Sequence, residues 1–114
     1  MALIIIEVSV SLYSEKQLWL IESELKRLEL WQETPPSPES MADPTPFACE
    51  TMAFEQWLQF IFLPKMRALI AAQSALPTKI ALGPMAEHVW QGRAEMQTLI
   101  NIIIQLDEHL SGSN

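Results

Sequence analysis

The 114-residue sequence predicts an all-α fold, a single-domain helical bundle of about four helices with a long proline-rich loop between the first and second. Three observations carry this expectation. Apolar residues recur at steps of three and four in several separate stretches, the spacing of one face of a helix. Five of the eight prolines fall together between two such stretches, where they mark a break between elements. A composition of 49% hydrophobic and 18% charged residues with only three glycines belongs to an ordered domain, and a chain of this length buries roughly two-thirds of the surface it exposes when unfolded.

The first helix is read from Ser14 to Trp31, where Leu18, Ile21, Leu25 and Leu28 form an apolar stripe and Glu15, Lys16, Glu22, Lys26 and Arg27 lie largely between them. Upstream, Ile4, Ile6, Val8, Val10 and Leu12 alternate with Ile5, Glu7, Ser9 and Ser11 in the period-two pattern of a strand. Yet Val8 and Leu12 also satisfy helical i,i+4 spacing, and no turn residue intervenes. A continuous first helix is expected, the alternative being an extended arm that pairs with another copy. Because Leu3 to Leu12 is apolar on both sides, self-association through this segment is expected.

Residues 32 to 48 hold prolines at 35, 36, 38, 44 and 46, which exclude continuous helix. Ser37-Pro38-Glu39 reads as the start of one helical turn, with serine at N-cap, proline at N1 and an acid near the positive end. A connection of seventeen residues is long, and such loops are functional or packed down by their own apolar side chains. Met41 and Phe47 are the expected anchors.

Thr51 is placed as N-cap of a second helix in which Met52, Phe54, Trp57, Leu58, Phe60, Ile61, Phe62 and Leu63 occupy nearly the whole circumference. Only Glu55, Gln56 and Gln59 are polar there, so this helix is expected to be central. Pro64 lacks the N–H that would bond the carbonyl of Phe60, which predicts a kink or a break before helix resumes through Ile70. Leu76-Pro77 closes this element. A short helix is expected with Gly83 at N-cap and Pro84 at N1, ending at Gly92, followed by a last helix from Ala94 to Leu110 with Gly112 as its stop. Its buried face is Met96, Leu99, Ile100, Ile103, Leu106 and Leu110.

Composition also restricts function. A formal charge of −7 repels phosphate backbones and anionic headgroups, and the only basic clusters are Lys26-Arg27 and Lys65-x-Arg67. Glycines at 83, 92 and 112 alone build neither a phosphate loop nor a dinucleotide fingerprint. His88 and His109 stand in no metal-binding spacing, and one cysteine, Cys49, forms no internal disulfide. Cys49 paired with a histidine would be a nucleophile and base, but the simpler reading is a small half-buried residue before a helix. Glu50 and Glu55 likewise read as acids favoured near a helix start. No window reaches membrane-span length, and the start Met-Ala-Leu-Ile-Ile-Ile-Glu-Val has no positive n-region, so a cytoplasmic protein without membrane contact is expected.

The wording of the chain adds to this. Leu30-Trp31-Gln32, Pro35-Pro36, Thr45-x-Pro-Phe47, Glu50-Thr51-Met52, Glu55-Gln-Trp57-Leu58-Gln59, Leu63-Pro64-Lys65-Met66, Leu76-Pro77 and Pro84-Met-Ala-Glu87 occur in an order and spacing that resembles the YqcC-like family of small bacterial proteins. The resemblance runs from about Leu18 to Leu110, is most specific from Phe47 to Met66, and departs from the family pattern at Glu50 and Lys65. It implies an all-α bundle of unknown biochemical function. The family resembles companions of a tRNA pseudouridine synthase, whose name some members carry; the resemblance does not bring that catalysis, which needs an aspartate in a larger mixed scaffold. An accessory role beside such an enzyme is the alternative reading.

The leading expectation is therefore a non-catalytic module that binds a protein partner, another copy of itself or a small apolar ligand, without cofactor, metal or nucleic acid. Trp31, Pro35, Pro36, Phe47, Thr51, Trp57, Gln59 and Pro64 are its candidate site residues, grouped where the proline-rich loop meets the aromatic helix.

Overall fold

The computed structural model describes residues 2–112, with side chains from 11 to 111. The regular structure among the described residues is all helix, with no strand, in the order α1 (Ala2–Arg27), α2 (Pro38–Met41), α3 (Phe54–Trp57), α4 (Leu63–Ala71), α5 (Leu82–Val89) and α6 (Gln97–Gly112). A widened turn, Leu58–Phe62, joins α3 to α4 into one rod, and single 3₁₀ turns stand at Pro46–Ala48 and Ala94–Met96. Four principal segments, α1, this rod, α5 and α6, thus make the bundle, with α2 as a single turn in the long loop.

Its core is the meeting of the apolar stripes. Leu18, Ile21 and Leu25 of α1 are fully buried, together with Leu58, Leu63 and Met66 of the rod, Leu82 and Ala86 of α5, and Leu99, Ile103 and Leu106 of α6. The two terminal helices α1 and α6 pack on each other, tied across their seam by Gln17 Nε2, which donates to the Ile102 carbonyl at 3.2 Å. No helix among the described residues is long and apolar enough to cross a membrane.

The backbone of α1 is helical from Ala2, so the extended arm does not form; the side chains expected to self-associate, up to Val10, lie outside those described. Its C-terminus falls at Arg27 rather than Trp31, because Glu29 turns into the left-handed region at φ 61 and Leu30 N–H bonds back to the Leu25 carbonyl at 2.8 Å. The Ser37 cap forms as expected, its hydroxyl accepting from Ser40 N–H at 3.2 Å. Before Pro64 the chain neither kinks sharply nor breaks. It widens: Leu63 N–H reaches the Leu58 carbonyl five residues back, and the rod continues.

Four placements differ from expectation. Thr51 does not cap the aromatic helix, which starts three residues later behind Ala53, because the Thr51 hydroxyl is taken by the loop. Gly83 is not an N-cap and Pro84 is not at N1: α5 starts at Leu82 behind Ala81, and its first free N–H groups are met from α6, Leu82 N–H and Gly83 N–H donating to the two oxygens of Asp107 at 3.2 and 2.6 Å. A Cβ on Gly83 would stand 3.1 Å from Asp107 Oδ2 and 3.2 Å from Ile104 Cγ1, so the glycine is there for close approach of α6. Met41 is exposed and anchors nothing. Cys49 is exposed rather than half-buried.

Candidate functional site

Two sets of polar contacts pin the loop, one to the rod and one within the loop itself. Gln59, nearly fully buried, accepts from Gln32 N–H at 2.9 Å and donates to the Gln32 carbonyl at 2.6 Å, while Gln56 Nε2 donates to Gln32 Oε1 at 3.0 Å. A buried amide that lost these partners would keep its desolvation cost, so Gln59 belongs to the loop as much as to the helix. Asp43 forms the second set. Its Oδ1 accepts from Thr45 N–H at 2.9 Å and the Thr45 hydroxyl at 2.7 Å, and its Oδ2 accepts from the Thr51 hydroxyl at 2.7 Å. The Thr45 hydroxyl above all, then the Thr45 N–H and the Thr51 hydroxyl, hold the Asp43 carboxyl below the usual aspartate range.

Between these ties the chain turns through Phe47 and Ala48, both left-handed at φ 57 and φ 48. Neither is glycine, and each such residue costs on the order of 1 kcal/mol. That geometry delivers the Phe47 ring edge-on to Trp57 at 4.9 Å and to Phe54 at 5.8 Å. Phe54 in turn meets Trp90 at 5.3 Å, and Trp57 stacks on Phe62 at 5.5 Å. Contacts of this kind add about 0.5–1.5 kcal/mol per pair beyond burial, enough to offset the strain.

Beside this cluster lies a recess of about 180 Å³. The 47–54 segment supplies Phe47, Cys49, Met52, Ala53 and Phe54, and α5 supplies Met85 and Val89. A second, larger groove of about 370 Å³ runs along the junction of α5 and α6, bordered by Glu87, Gln91, Arg93 and Gln97. We centre the candidate site on the smaller recess: its lining side chains are apolar or sulfur-bearing and most of its surface is apolar, whereas the larger groove is open and bordered by side chains that water satisfies.

Of the candidates read from sequence, Phe47 lines this recess and Trp57 backs it by ring contact, while Thr51 and Gln59 lie outside it, bonded to Asp43 and Gln32 of the loop. Trp31 is not walled by Phe47. It is half-buried on the core with the Lys26 ammonium 5.0 Å from its ring. Pro35 is exposed, Pro36 half-buried and Pro64 exposed, and none of them lines the recess. Met85 and Val89 were missed, because nothing in a sequence says that α5 folds against the 47–54 turn. Gln32 and Asp43 were missed too, although aspartate before proline, as in Asp43-Pro44, is a turn signal.

No group of three or more His, Cys, Asp or Glu side chains among the described residues stands ready for a metal. Cys49 is exposed, the His109 ring stacks on Tyr13 at 4.0 Å, and Asp43 and Asp107 are both committed to backbone groups. What this arrangement presents is a mostly apolar recess between a loop turn and α5.

The class so defined is a small all-α protein with a pinned loop and an apolar recess. The chain belongs to the family described as DUF446, tRNA pseudouridine synthase C, whose model matches residues 14–109, and its relatives make this a YqcC-like family of small proteins of uncharacterised function. An uncharacterised protein of Haemophilus influenzae is 37% identical over 95 residues, covering 83% of this chain and 90% of that one. YqcC of Escherichia coli is 31% identical over 71 residues, 62% of this chain and 65% of the other. The solution NMR structure of E. coli YqcC shares the fold, with a TM-score of 0.77 at 24% identity over 96% of this chain and 91% of that one. A Pectobacterium carotovorum protein named tRNA pseudouridine synthase C is 37% identical over 78 residues, which are 68% of this chain but only 21% of that one.

Proposed function

We propose that this protein is a non-catalytic interaction module of the cytoplasm, whose contact site is the recess walled by Phe47, Cys49, Met52, Met85 and Val89. The observation that carries this reading is the strained Phe47 turn, held by two polar ties and forming one wall of an otherwise apolar cavity. Burial alone does not require two left-handed non-glycine residues in sequence. At about 180 Å³ the cavity falls short of the roughly 300–1,000 Å³ typical of small-molecule sites, and better fits one large apolar side chain of a protein partner.

Val89, 37% exposed and outside the buried core cluster, provides the test. In affinity capture from bacterial extract, Val89→Asp is expected to keep the wild-type melting temperature and lose a partner that wild type retains. Identical captured sets from the two would overturn the reading.

A second reading, an accessory role beside a tRNA-modifying enzyme, is favoured by the Pectobacterium relative, in which the matching segment is a minor part of a longer chain bearing the synthase name. The partner would then be the enzyme rather than its RNA, since the net charge is −7 and Arg67 is already paired with Glu22 at 2.7 Å. Co-purification of the separately expressed enzyme, insensitive to nuclease, is the expected result. Direct RNA binding that falls steeply with salt would contradict it.

A further inference from the structure

The larger groove, between α5 and α6, holds about 370 Å³ and falls within the roughly 300–1,000 Å³ of small-molecule sites. Trp90, Ile100 and Ile104 line it with apolar surface, and Glu87, Arg93 and Gln97 add polar groups. It shares no lining residue with the recess. Trp90 is 1% exposed, and its indole Nε1 has no hydrogen-bond partner among the described residues. An indole N–H only donates, so the group it calls for is an acceptor. A buried donor left unmet keeps its desolvation cost, and a tryptophan in such a place ordinarily has a partner. Glu87 stands three residues before Trp90, which puts the two on one face of the chain as α5 ends. Beyond Trp90 the chain reverses at Gly92, φ 78, and Arg93 N–H returns to the Trp90 carbonyl at 3.0 Å. A guanidinium and an unmet indole N–H therefore share one short turn. Among the described residues the Arg93 side chain bonds only Glu95, through Nε at 3.4 Å, and Glu87 has no ion pair.

We propose that this groove binds a free α-amino acid with an apolar side chain, in its zwitterionic form. The carboxylate accepts from the Trp90 indole N–H and the Arg93 guanidinium, the ammonium donates to Glu87, and the side chain lies over Ile100 and Ile104. Charge selects this class of ligand. A simple anion would meet Glu87 and the field of a chain carrying −7. A simple cation would leave the indole N–H and the guanidinium without an acceptor. A plain hydrocarbon would answer neither charge. A zwitterion brings an acceptor to the two donors and a donor to the acid, with no net charge to repel.

Nitrogen–proton correlation NMR of the whole chain tests this through the Trp90 indole signal, assigned from its own backbone. L-phenylalanine, raised to about 10 mM, is expected to move that signal saturably, with a dissociation constant of about 1 mM or tighter. L-phenylalaninamide lacks the carboxylate and N-acetyl-L-phenylalanine lacks the ammonium, so the two stand for the ends of a peptide. Each is expected to bind at least about tenfold more weakly. Arg93→Gln and Glu87→Gln, both at exposed positions, should leave the signals of the core in place and weaken L-phenylalanine binding by about the same factor. A Trp90 indole signal that stays in place throughout the titration overturns the proposal. So does equal binding of either derivative, which would make the ligand a chain terminus or a plain apolar molecule, and so does an affinity indifferent to either charge variant.

Discussion

Glu29 and Gln73 hold the same position at two helix ends. Each lies in the left-handed region, at φ 61 and φ 55, and in each case the next N–H bonds a carbonyl five residues back, Leu30 to Leu25 and Ser74 to Leu69. Glycine is the usual occupant of this C-terminal position because a Cβ is crowded there. Replacing Glu29 with Gly removes that crowding at the cost of some unfolded-state freedom, and the balance is expected to raise stability by about 0.5–1 kcal/mol in urea denaturation. An unchanged or lower midpoint would mean that the Glu29 side chain contributes something its geometry does not show. The second end was legible, since helix was expected through Ile70 and stops at Ala71; the first was not. Leu28 and Leu30 keep the apolar rhythm going past Arg27, so periodicity ran on to Trp31, and the reversal is made by a residue with no turn preference.

At the level of elements, capping shows what a sequence carries and what it leaves out. Ser37 was legible because its partner, Ser40 N–H, is three residues away. The cap of α5 was not, because the carboxylate that meets Leu82 and Gly83 belongs to Asp107, some 25 residues on. Likewise the apolar density from Met52 to Leu63 announced a central helix, but its start depended on whether Thr51 would bond its own helix or the loop. Asp43 decided that in favour of the loop. The consequence is a pH dependence of the loop with a definite sign. The folded-state pKa of Asp43 is depressed, so the unfolded chain binds its proton at higher pH than the folded chain. The stabilisation is complete above the ordinary aspartate value of about 4 and is lost as pH falls below it through the folded value. Hydrogen exchange of the Thr45 and Thr51 amides, corrected for intrinsic rate, is therefore expected to accelerate on acidification from pH 5 to pH 3. In Asp43→Asn this pH dependence is expected to disappear, and retention of the full effect would assign it to another carboxylate.

The whole molecule has two tiers of stability, and the division follows from which contacts hold each part. The α1–α6 pair is joined by fully buried aliphatic side chains, so Leu106→Ala should cost about 2–5 kcal/mol and lower the stability of every element together. The loop from Leu28 to Ala53 is joined to the bundle through the bonds of Gln59 and Gln56 to Gln32, the Phe47 ring and the half-buried Leu28, Leu30 and Trp31, with Asp43 holding the loop to itself, and these contacts can open without separating α1 from α6. Replacing Gln59 with Leu keeps the volume at this buried position and removes both hydrogen bonds, leaving Gln32 to water. The expected loss is about 1–2 kcal/mol, confined to the loop. Native-state hydrogen exchange separates the tiers. In Gln59→Leu the amides of residues 32 to 53 should exchange faster by roughly five- to thirtyfold while those of Ile21, Leu25 and Ile103 keep their wild-type protection. Uniform acceleration across both groups would mean instead that the loop and bundle unfold as one unit. The Phe47 turn would then be part of the core's cooperativity, and the recess beside it a consequence of folding rather than a surface kept for a partner.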